Sequence, residues 1–440
     1  MAKATGLSGF PEWLPAGRLV EQHILDEARR VFELHGFSSL ETRSVEPLEV
    51  LLDKGEVDKE VYVVRRLHGD EDAGLALHFD LTVPFARFVV EHSGALAFPF
   101  RRYQIQKVWR GERPQEGRFR EFTQADIDIV DAGHLAAHHD AEMALVMAEF
   151  LGTLPIPPTV ILLNNRKVLE GFYRGLGIAD SAPVLRAIDK LDKVGRDRVR
   201  TLLIDDAGLD AGQADLCLEL AAISAEDASF VRRVRDLGVS DPLLEEGLAE
   251  LAAVIDSVSR RRPGAARVDL HIARGLDYYT GTVYETQVVG FESFGSICSG
   301  GRYDALASDG KTTYPGVGIS LGVTRLVSLL LGRDLVRASR SVPTAVLVAV
   351  VDEESRTESD DVAHALRGRG IPCEVAPAAD KFGKQIRYAD RRGIPYVWFP
   401  EAGNHTVKDI RSGEQVPADA LTWSPPAQDL TPQILQGEGT

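Results

Sequence analysis

The sequence predicts an α+β fold: a largely antiparallel sheet domain interrupted by a helical insert, then a small α/β domain. Three observations predict it. Stretches of period-two alternation follow one another through short turns, as sequential antiparallel strands do. Between about 166 and 262 that alternation gives way to Ala-, Leu-, Asp-, Glu- and Arg-rich sequence with helical spacing. Beyond residue 342, short apolar runs alternate with helix-like stretches, the pattern of parallel strands joined by helices. The expected divisions are residues 1–165 and 263–333 for the sheet domain, 166–262 for the insert, 334–342 for a linker, 343–424 for the α/β domain and 425–440 for a tail.

Taken in order, residues 16–35 form a helix, with Leu19, Val20, Ile24, Ala28, Val31 and Phe32 on one side. Pro15 stands at its start and Gly36 at its end, each in its favoured place. Phe37 to Val45, Val61 to Leu67 and Leu75 to Leu81 alternate as strands, as do 101–110, 120–130, 266–273, 281–289 and 314–320. A helix near 322–333 precedes the linker. The last domain reads as strand 345–351, helix 355–369, strand 371–376, helix 381–392 and strand 395–399. Ser424 to Thr440 carries little pattern.

The 440 residues allow two or three domains, and 44% hydrophobic with 26% charged residues is ordinary globular material. No apolar run reaches the length of a membrane span, and Met1–Gly6 lacks the core of a signal peptide. Three distant cysteines, Cys217, Cys298 and Cys373, argue against a disulfide framework and for a reducing cytoplasm. A net charge of −16 disfavours indiscriminate nucleic-acid binding. Two local patches run the other way. Residues 101–120 hold seven Arg/Lys against two Glu, and residues 381–411 hold seven against three acids. Each is read either as a nucleic-acid contact or as the solvated face of an ordinary element.

The richest segment is Val108 to Asp128, which reads as strand, turn-prone loop, strand. Its arginines are of the kind that grip phosphate. Along its second strand Gln124, Asp126 and Asp128 point to one face. Guanidinium groups at one end and amide and carboxylate groups farther along suit a nucleotide lying beside a small polar ligand.

Four segments complete the pattern: His78-Phe79-Asp80-Leu81-Thr82-Val83-Pro84, this hairpin, Arg274-Gly275-Leu276-Asp277-Tyr278-Tyr279, and the run from Gly316 to Arg325. With Ser299-Gly300-Gly301-Arg302-Tyr303-Asp304 and Lys384-Gln385-Ile386-Arg387, they make nearly the whole chain resemble the histidyl-tRNA synthetases, class II aminoacyl-tRNA synthetases. The resemblance implies a class II antiparallel-sheet catalytic domain with a helical insert and a C-terminal α/β anticodon-binding domain. It implies formation of histidyl-adenylate from ATP and histidine with Mg²⁺, then transfer to tRNA(His), by a cytoplasmic homodimer with no membrane partner.

The resemblance also implies roles. Arg110 would contact the α-phosphate, and Arg274 would supply a fixed positive charge from the other side. Phe122 and Arg325 would sandwich adenine, and Arg118 would reach the terminal phosphates. Glu112 would accept from the adenine amino group or position it through the backbone. Asp80, Thr82 and Gln124 would hold the histidine amino group. Asp128 and Tyr279 would read the ring, with Tyr278 and Tyr303 nearby. Arg113 and Gln115 would touch the tRNA acceptor end. Asp277 is open between a ligand role and bracing the turn. No protein metal ligand and no protein base are assigned.

Two departures stand out. Arg43 occupies the place of a proline in the motif that builds the family's dimer interface, and His78 occupies the place of an arginine. If that arginine holds ligand, His78 makes the site weaker or pH-sensitive. Ala305 to Thr312 matches a relaxed phosphate-loop pattern, but Pro315 makes it a loop into a strand. His134, His138 and His139 have helical spacing and read as a solvated helix face rather than metal ligands. Two rivals share the resemblance: the non-catalytic regulatory subunit of ATP phosphoribosyltransferase, and an amino-acid-activating paralogue outside translation. The retained Arg-Gly-Leu-Asp-Tyr-Tyr signature and C-terminal domain weigh against the first. The hairpin loop and cationic helix weigh against the second.

Overall fold

The structure, a computed structural model, describes residues 6–52, 60–68, 74–272, 278–401 and 404–437. It forms two compact units: residues up to Pro11 with Ile24–Leu329, and Glu12–His23 with Leu330 onward.

The first unit is built on a nine-stranded sheet. From edge to edge its strands are Ser38–Ser39, Phe100–Trp109, Glu121–Val130, Gly316–Gly322, Cys298–Tyr303, Thr282–Val288, Thr159–Asn165, Ala266–Asp269 and Ser224–Ala225. Neighbours run antiparallel except the first pair and Thr159–Asn165 with Ala266–Asp269. The pleat divides the faces. Ile127, Ile319, Gly300 and Tyr284 lie across from one another in register, and the Tyr284 hydroxyl donates to the Asp140 carbonyl at 2.8 Å. That stripe therefore faces helix His138–Thr153. Arg102, Asp128, Gly318, Gly301 and Val283 form the parallel stripe on the opposite face. Residues 121–130 alternate so cleanly because one face must bury Ala125, Ile127 and Ile129 against helices while the other carries polar groups.

Seven helices lie between residues 166 and 261. The outer two, Arg166–Gly175 and Pro242–Arg261, pack against each other so closely that a Cβ on Gly171 would stand 2.2 Å from the Leu244 nitrogen. Pro242–Arg261 also lies on strand Thr159–Asn165. Its stripe of Leu244, Leu248, Leu251, Ile255 and Val258 needs that cover.

In the second unit strands Cys373–Val375, Val346–Val348 and Tyr396–Phe399 run parallel, and Thr406–Asp409 and Gln415–Pro417 add antiparallel partners. Val346, Val348 and Trp398 pack with Val362 and Leu366 of helix Arg356–Gly368. Leu347, Val397 and Phe399 pack with Ala389 of helix Phe382–Arg392 on the other face. Both faces are buried, as parallel strands require.

Several elements differ from expectation. The strand expected over Phe37–Val45 is reduced to Ser38–Ser39 and Val45–Pro47, and those at 61–67 and 75–81 to Tyr62–Val64 and Leu75–Leu77. Thr82–His92 is a helix; Pro84 falls in its first turn, where a missing N–H costs nothing. Strands Thr159–Asn165 and Cys298–Tyr303 were not anticipated. In the latter, Gly300 and Gly301 erase the β-branched signal. The stretch expected as a tail contributes Ile434–Gln436, which pairs with Val336–Ala338 inside the stretch expected as a linker. Three-residue strands are too short to show a period. Among the described residues no helix is long and apolar enough to cross a membrane.

Candidate active site

The polar stripe opens into a recess lined by Thr82, Asp126, Asp128, Tyr279, Tyr303, Ser320 and the glycines between them. The glycines make the room. A Cβ on Gly318 would stand 2.1 Å from Asp128 Oδ1, one on Gly316 2.5 Å from the Tyr303 ring, and one on Gly301 2.8 Å from the Tyr279 ring.

Asp128 is the best-held group. Its Oδ2 lies 2.7 Å from the Arg102 guanidinium, and its Oδ1 accepts the Tyr303 hydroxyl at 2.8 Å. Gln124 donates through Nε2 to Ser320 Oγ at 2.7 Å, and Asp80 Oδ1 accepts the Val83 N–H at 3.1 Å, which fixes the start of helix Thr82–His92. Three buried acceptor atoms, Asp80 Oδ2, Gln124 Oε1 and Asp126 Oδ1, have no partner among the described residues. Burial lifts Asp80 and Asp128 to about 6 and Asp126 to about 7; Arg102 works against the rise in all three. Tyr278, Tyr279 and Tyr303 form an edge-to-face cluster with centroids 4.9 and 6.2 Å apart, and burial pushes their phenols up, so they remain neutral donors.

The hairpin loop stands at the end of this stripe. Arg110 Nε donates to the Phe79 carbonyl at 2.9 Å, which ties it to the chain next to Asp80, and its guanidinium carbon lies 5.1 Å from the Phe122 ring centre. Glu112 lies between Arg110 at 3.9 Å and Arg118 at 3.2 Å. Arg325 donates to the carbonyls of Gly117, at 3.1 Å, and Phe294, and lies 4.8 Å from the Phe294 ring centre. The Thr123 N–H donates to Thr324 Oγ1 at 2.9 Å, which holds the neighbouring residues Phe122 and Arg325 at the same end of the sheet. Arg113 and Gln115 are exposed on the loop, whose turn over 115–118 places Gly117 at φ +69°.

The structure thus gathers Asp80, Thr82, Gln124, Asp128, Tyr278, Tyr279 and Tyr303 at one face, and Arg110, Glu112, Arg118, Phe122 and Arg325 at its end. Arg274, with Asp277, lies outside the described residues. Three groups here were missed in the sequence: Arg102, Phe294 and the Arg302–Asp140 pair. The signal for Arg102 was a second polar stripe, Arg102, Gln104 and Gln106, on the strand that must pair with 124–128. Arg302 bonds Asp140 at 2.7 Å on the helix-facing side and pins the strand whose neighbours Gly301 and Tyr303 face the recess.

His78 is not in the recess. It is fully buried, its Nε2 lies 2.7 Å from the Lys107 carbonyl, and its ring stacks on Trp109 with centroids 5.6 Å apart. Burial lowers its pKa, so the ring is neutral and braces the strand leading to Arg110. Arg43 pairs with buried Glu46 at 2.9 Å, alongside Arg87 at 3.0 Å. Ala305–Thr312 is a loop running into strand Gly316–Gly322, with Asp309 Oδ1 accepting the Lys311 and Thr312 N–H groups. His139 is buried rather than solvated, and its Nδ1 lies 2.8 Å from Glu142. His138, His139 and Glu142 bring their ligand atoms within 4.8 Å, but Arg101 already neutralises Glu142 at 2.6 Å.

An antiparallel sheet with a cationic hairpin beside a carboxylate-lined recess is the arrangement of a class II aminoacyl-tRNA synthetase catalytic domain. A family profile described as histidyl-tRNA synthetase matches residues 9–326, and one described as anticodon binding domain matches residues 345–420. The chain belongs to the histidyl-tRNA synthetase family. A protein of Micrococcus luteus named histidine--tRNA ligase is 62% identical, with 100% of each chain covered. A crystal structure of histidyl-tRNA synthetase from a Nostoc species superposes with a TM-score of 0.85 at 35% identity, covering 96% of this chain and 98% of that one. A Bacillus halodurans structure titled ATP phosphoribosyltransferase regulatory subunit/histidyl-tRNA synthetase shares the fold, with a TM-score of 0.71 at 20% identity over 87% of this chain and 96% of that one.

Proposed function

We propose that the protein is a histidine--tRNA ligase that forms histidyl-adenylate from histidine and ATP and then transfers histidine to the 3′ end of tRNA(His). The observation that carries this is the junction of two sites. Unpartnered acceptors of Gln124 and Asp126 lie on the strand that holds Asp128, that of Asp80 stands within electrostatic reach of Asp126 and Asp128, and Arg110 is bonded one residue from Asp80. The ligand's ammonium would meet Asp80, Thr82 and Gln124. Its imidazole, which both donates and accepts, would meet Asp128 with Tyr279 and Tyr303. Its carboxylate would then face Arg110, where the α-phosphate arrives.

In the first step the carboxylate oxygen attacks the α-phosphorus and pyrophosphate leaves. Arg110 and, by resemblance, Arg274 would offset the charge that develops, and Arg118 would hold the outgoing phosphates. Phe122 and Arg325 would bracket adenine. The hairpin's two guanidinium groups with Glu112 between them suit a phosphate chain that brings its own cation, so Mg²⁺ would enter with ATP. In the second step the ribose hydroxyl attacks the carbonyl and AMP leaves; the departing phosphate takes the proton. Arg113 and Gln115 would meet the acceptor end, and the domain at 343–424 the anticodon. A cytoplasmic homodimer fits the family and the exposed Val63, Leu67 and Leu75 on and beside the small sheet near Arg43.

The full-length identity to histidine--tRNA ligases and the anticodon-binding domain disfavour the regulatory-subunit reading. Pyrophosphate exchange with each of the twenty amino acids, then charging of total tRNA, tests the assignment. Exchange with histidine alone, dependent on Mg²⁺ and followed by charging, is expected. Exchange without charging would point to the non-translational paralogue, and no exchange at all would refute the enzyme.

A further inference from the structure

We propose that Arg102 is a specificity-determining positioning residue, which sets the plane and place of the Asp128 carboxylate against the imidazole of the substrate. The inference rests on the functional reading above and extends it to a residue that does not line the recess.

Arg102 has no solvent exposure, and its position on the hairpin's first strand lies directly across from Asp128 in register. Its guanidinium touches three elements. Its Nη2 makes an ion pair with Asp128 Oδ2 at 2.7 Å and donates to the Leu81 carbonyl at 3.4 Å, and its central carbon lies 4.4 Å from the Phe85 ring centre on helix Thr82–His92. The first residue of that helix, Thr82, lines the recess. Asp128 is thus clasped from opposite sides, by Arg102 at Oδ2 and by the Tyr303 hydroxyl at Oδ1. The remaining lone pairs of its oxygens are aimed by those two bonds, with Gly318 leaving the space beside Oδ1.

A stability role alone explains this poorly. Replacing a buried ion pair as a whole by well-packed apolar side chains is often neutral or stabilising, so stability does not account for the Arg102–Asp128 pair, although removing Arg102 alone would strand Asp128. The neighbours argue the same way. Gln104 and Gln106, next on the stripe, bond Thr42, Ser44 and each other rather than the recess, so the guanidinium reaches the carboxylates alone from this strand. Asp126 and Asp80 also lie within its field, which makes Arg102 the buried cation around which the cup's acceptors are arranged.

The test compares Arg102→Lys and Arg102→Leu with the parent protein in pyrophosphate exchange. KM for histidine, KM for ATP and kcat are measured, together with exchange on 2-thienylalanine, a ring of similar size without ring nitrogens. Arg102→Lys keeps the charge but not the planar guanidinium that lies over Phe85 and presents one nitrogen to Asp128, and is expected to raise KM for histidine about 3- to 10-fold with KM for ATP within about 2-fold. Arg102→Leu is expected to raise it further and to narrow the preference for histidine over 2-thienylalanine by a similar factor. Unchanged KM for histidine in Arg102→Lys overturns the proposal, and so does an equal rise in both KM values, which would mark a general distortion. If Arg102→Leu does not fold, the Lys variant still decides. A parent protein with no histidine-dependent exchange would remove the functional reading itself, and this inference with it.

Discussion

Gly318→Ala is the sharpest probe of the recess. Strand propensity alone favours the change, since glycine in an element interior costs roughly 0.5–1 kcal/mol relative to alanine. Local contact reverses the sign. The new Cβ would stand 2.1 Å from Asp128 Oδ1 and 2.6 Å from Cγ, while ordinary contact begins near 3.4 Å, so the carboxylate must retreat by about 1.3 Å. It cannot do so and keep both its bonds, at 2.7 Å to Arg102 and 2.8 Å to Tyr303. A lost charge-assisted bond is worth roughly 1.5–3 kcal/mol, or about 10- to 150-fold in a binding constant. On the proposed assignment, KM for histidine in pyrophosphate exchange rises by that factor while KM for ATP stays within about 3-fold. Gly332→Ala, where a Cβ meets nothing within 4 Å, is the matched control and should leave both unchanged. A folded Gly318→Ala protein with parental KM for histidine would show that Asp128 does not read the ring.

The buried carboxylates give a pH prediction. Burial raises Asp126 from 3.8 to about 7, so between those values the folded chain holds a proton that the unfolded chain has released, and stability falls as pH rises through that window. Asp126→Asn removes this loss. Its melting temperature without ligand should match the parent's near pH 4, gain on it up to about pH 7 and run parallel above; a gap independent of pH would refute the assignment. At Glu46, which is fully buried, Arg87 is 17% and Arg43 52% exposed. Arg87→Ala should therefore approach the roughly 3–5 kcal/mol of a broken buried pair. Arg43→Ala should cost no more than about 1 kcal/mol. Equal losses in urea unfolding would contradict that ordering.

The period-two stripe of Gln124, Asp126 and Asp128 was legible because one strand obeys one pleat. What it faces was not, because register joins residues that are distant in sequence: Gly318 opposes Asp128 across 190 positions. The same holds for Arg102. Its strand shows a polar stripe, yet only pairing with 121–130 sets Arg102 across from Asp128, while Gln104 and Gln106 bond Thr42, Ser44 and each other. His78 shows the converse. Its place in a motif left open a weaker or pH-sensitive site, while its geometry ties it to the Lys107 carbonyl and Trp109. The C-terminal domain was legible because strands such as 346–348 are buried on both faces and read as continuous apolar runs. Thr406–Asp409 and Gln415–Pro417, on its open edge, have no such run.

The recess also explains its own selectivity in terms of what it lacks. Three buried carboxylates surround one buried guanidinium, and three acceptor atoms have no protein donor among the described residues. Such a cup is costly until something brings donors. A ligand with an ammonium group and a ring N–H supplies them. Phenylalanine, close in shape, would bring the ammonium but strand Asp128 and its clasp against a hydrocarbon ring. Apolar pockets separate neighbours by a methylene's worth of binding, about 1–3 kcal/mol, whereas a site left with unpaired buried acceptors rejects the wrong ring by roughly 10⁴-fold or more. On the proposed assignment the unmet acceptors of Asp80 and Gln124 take the ammonium that both amino acids bring, and the choice between the rings falls to Asp128, whose remaining lone pairs Arg102 and Tyr303 hold in place.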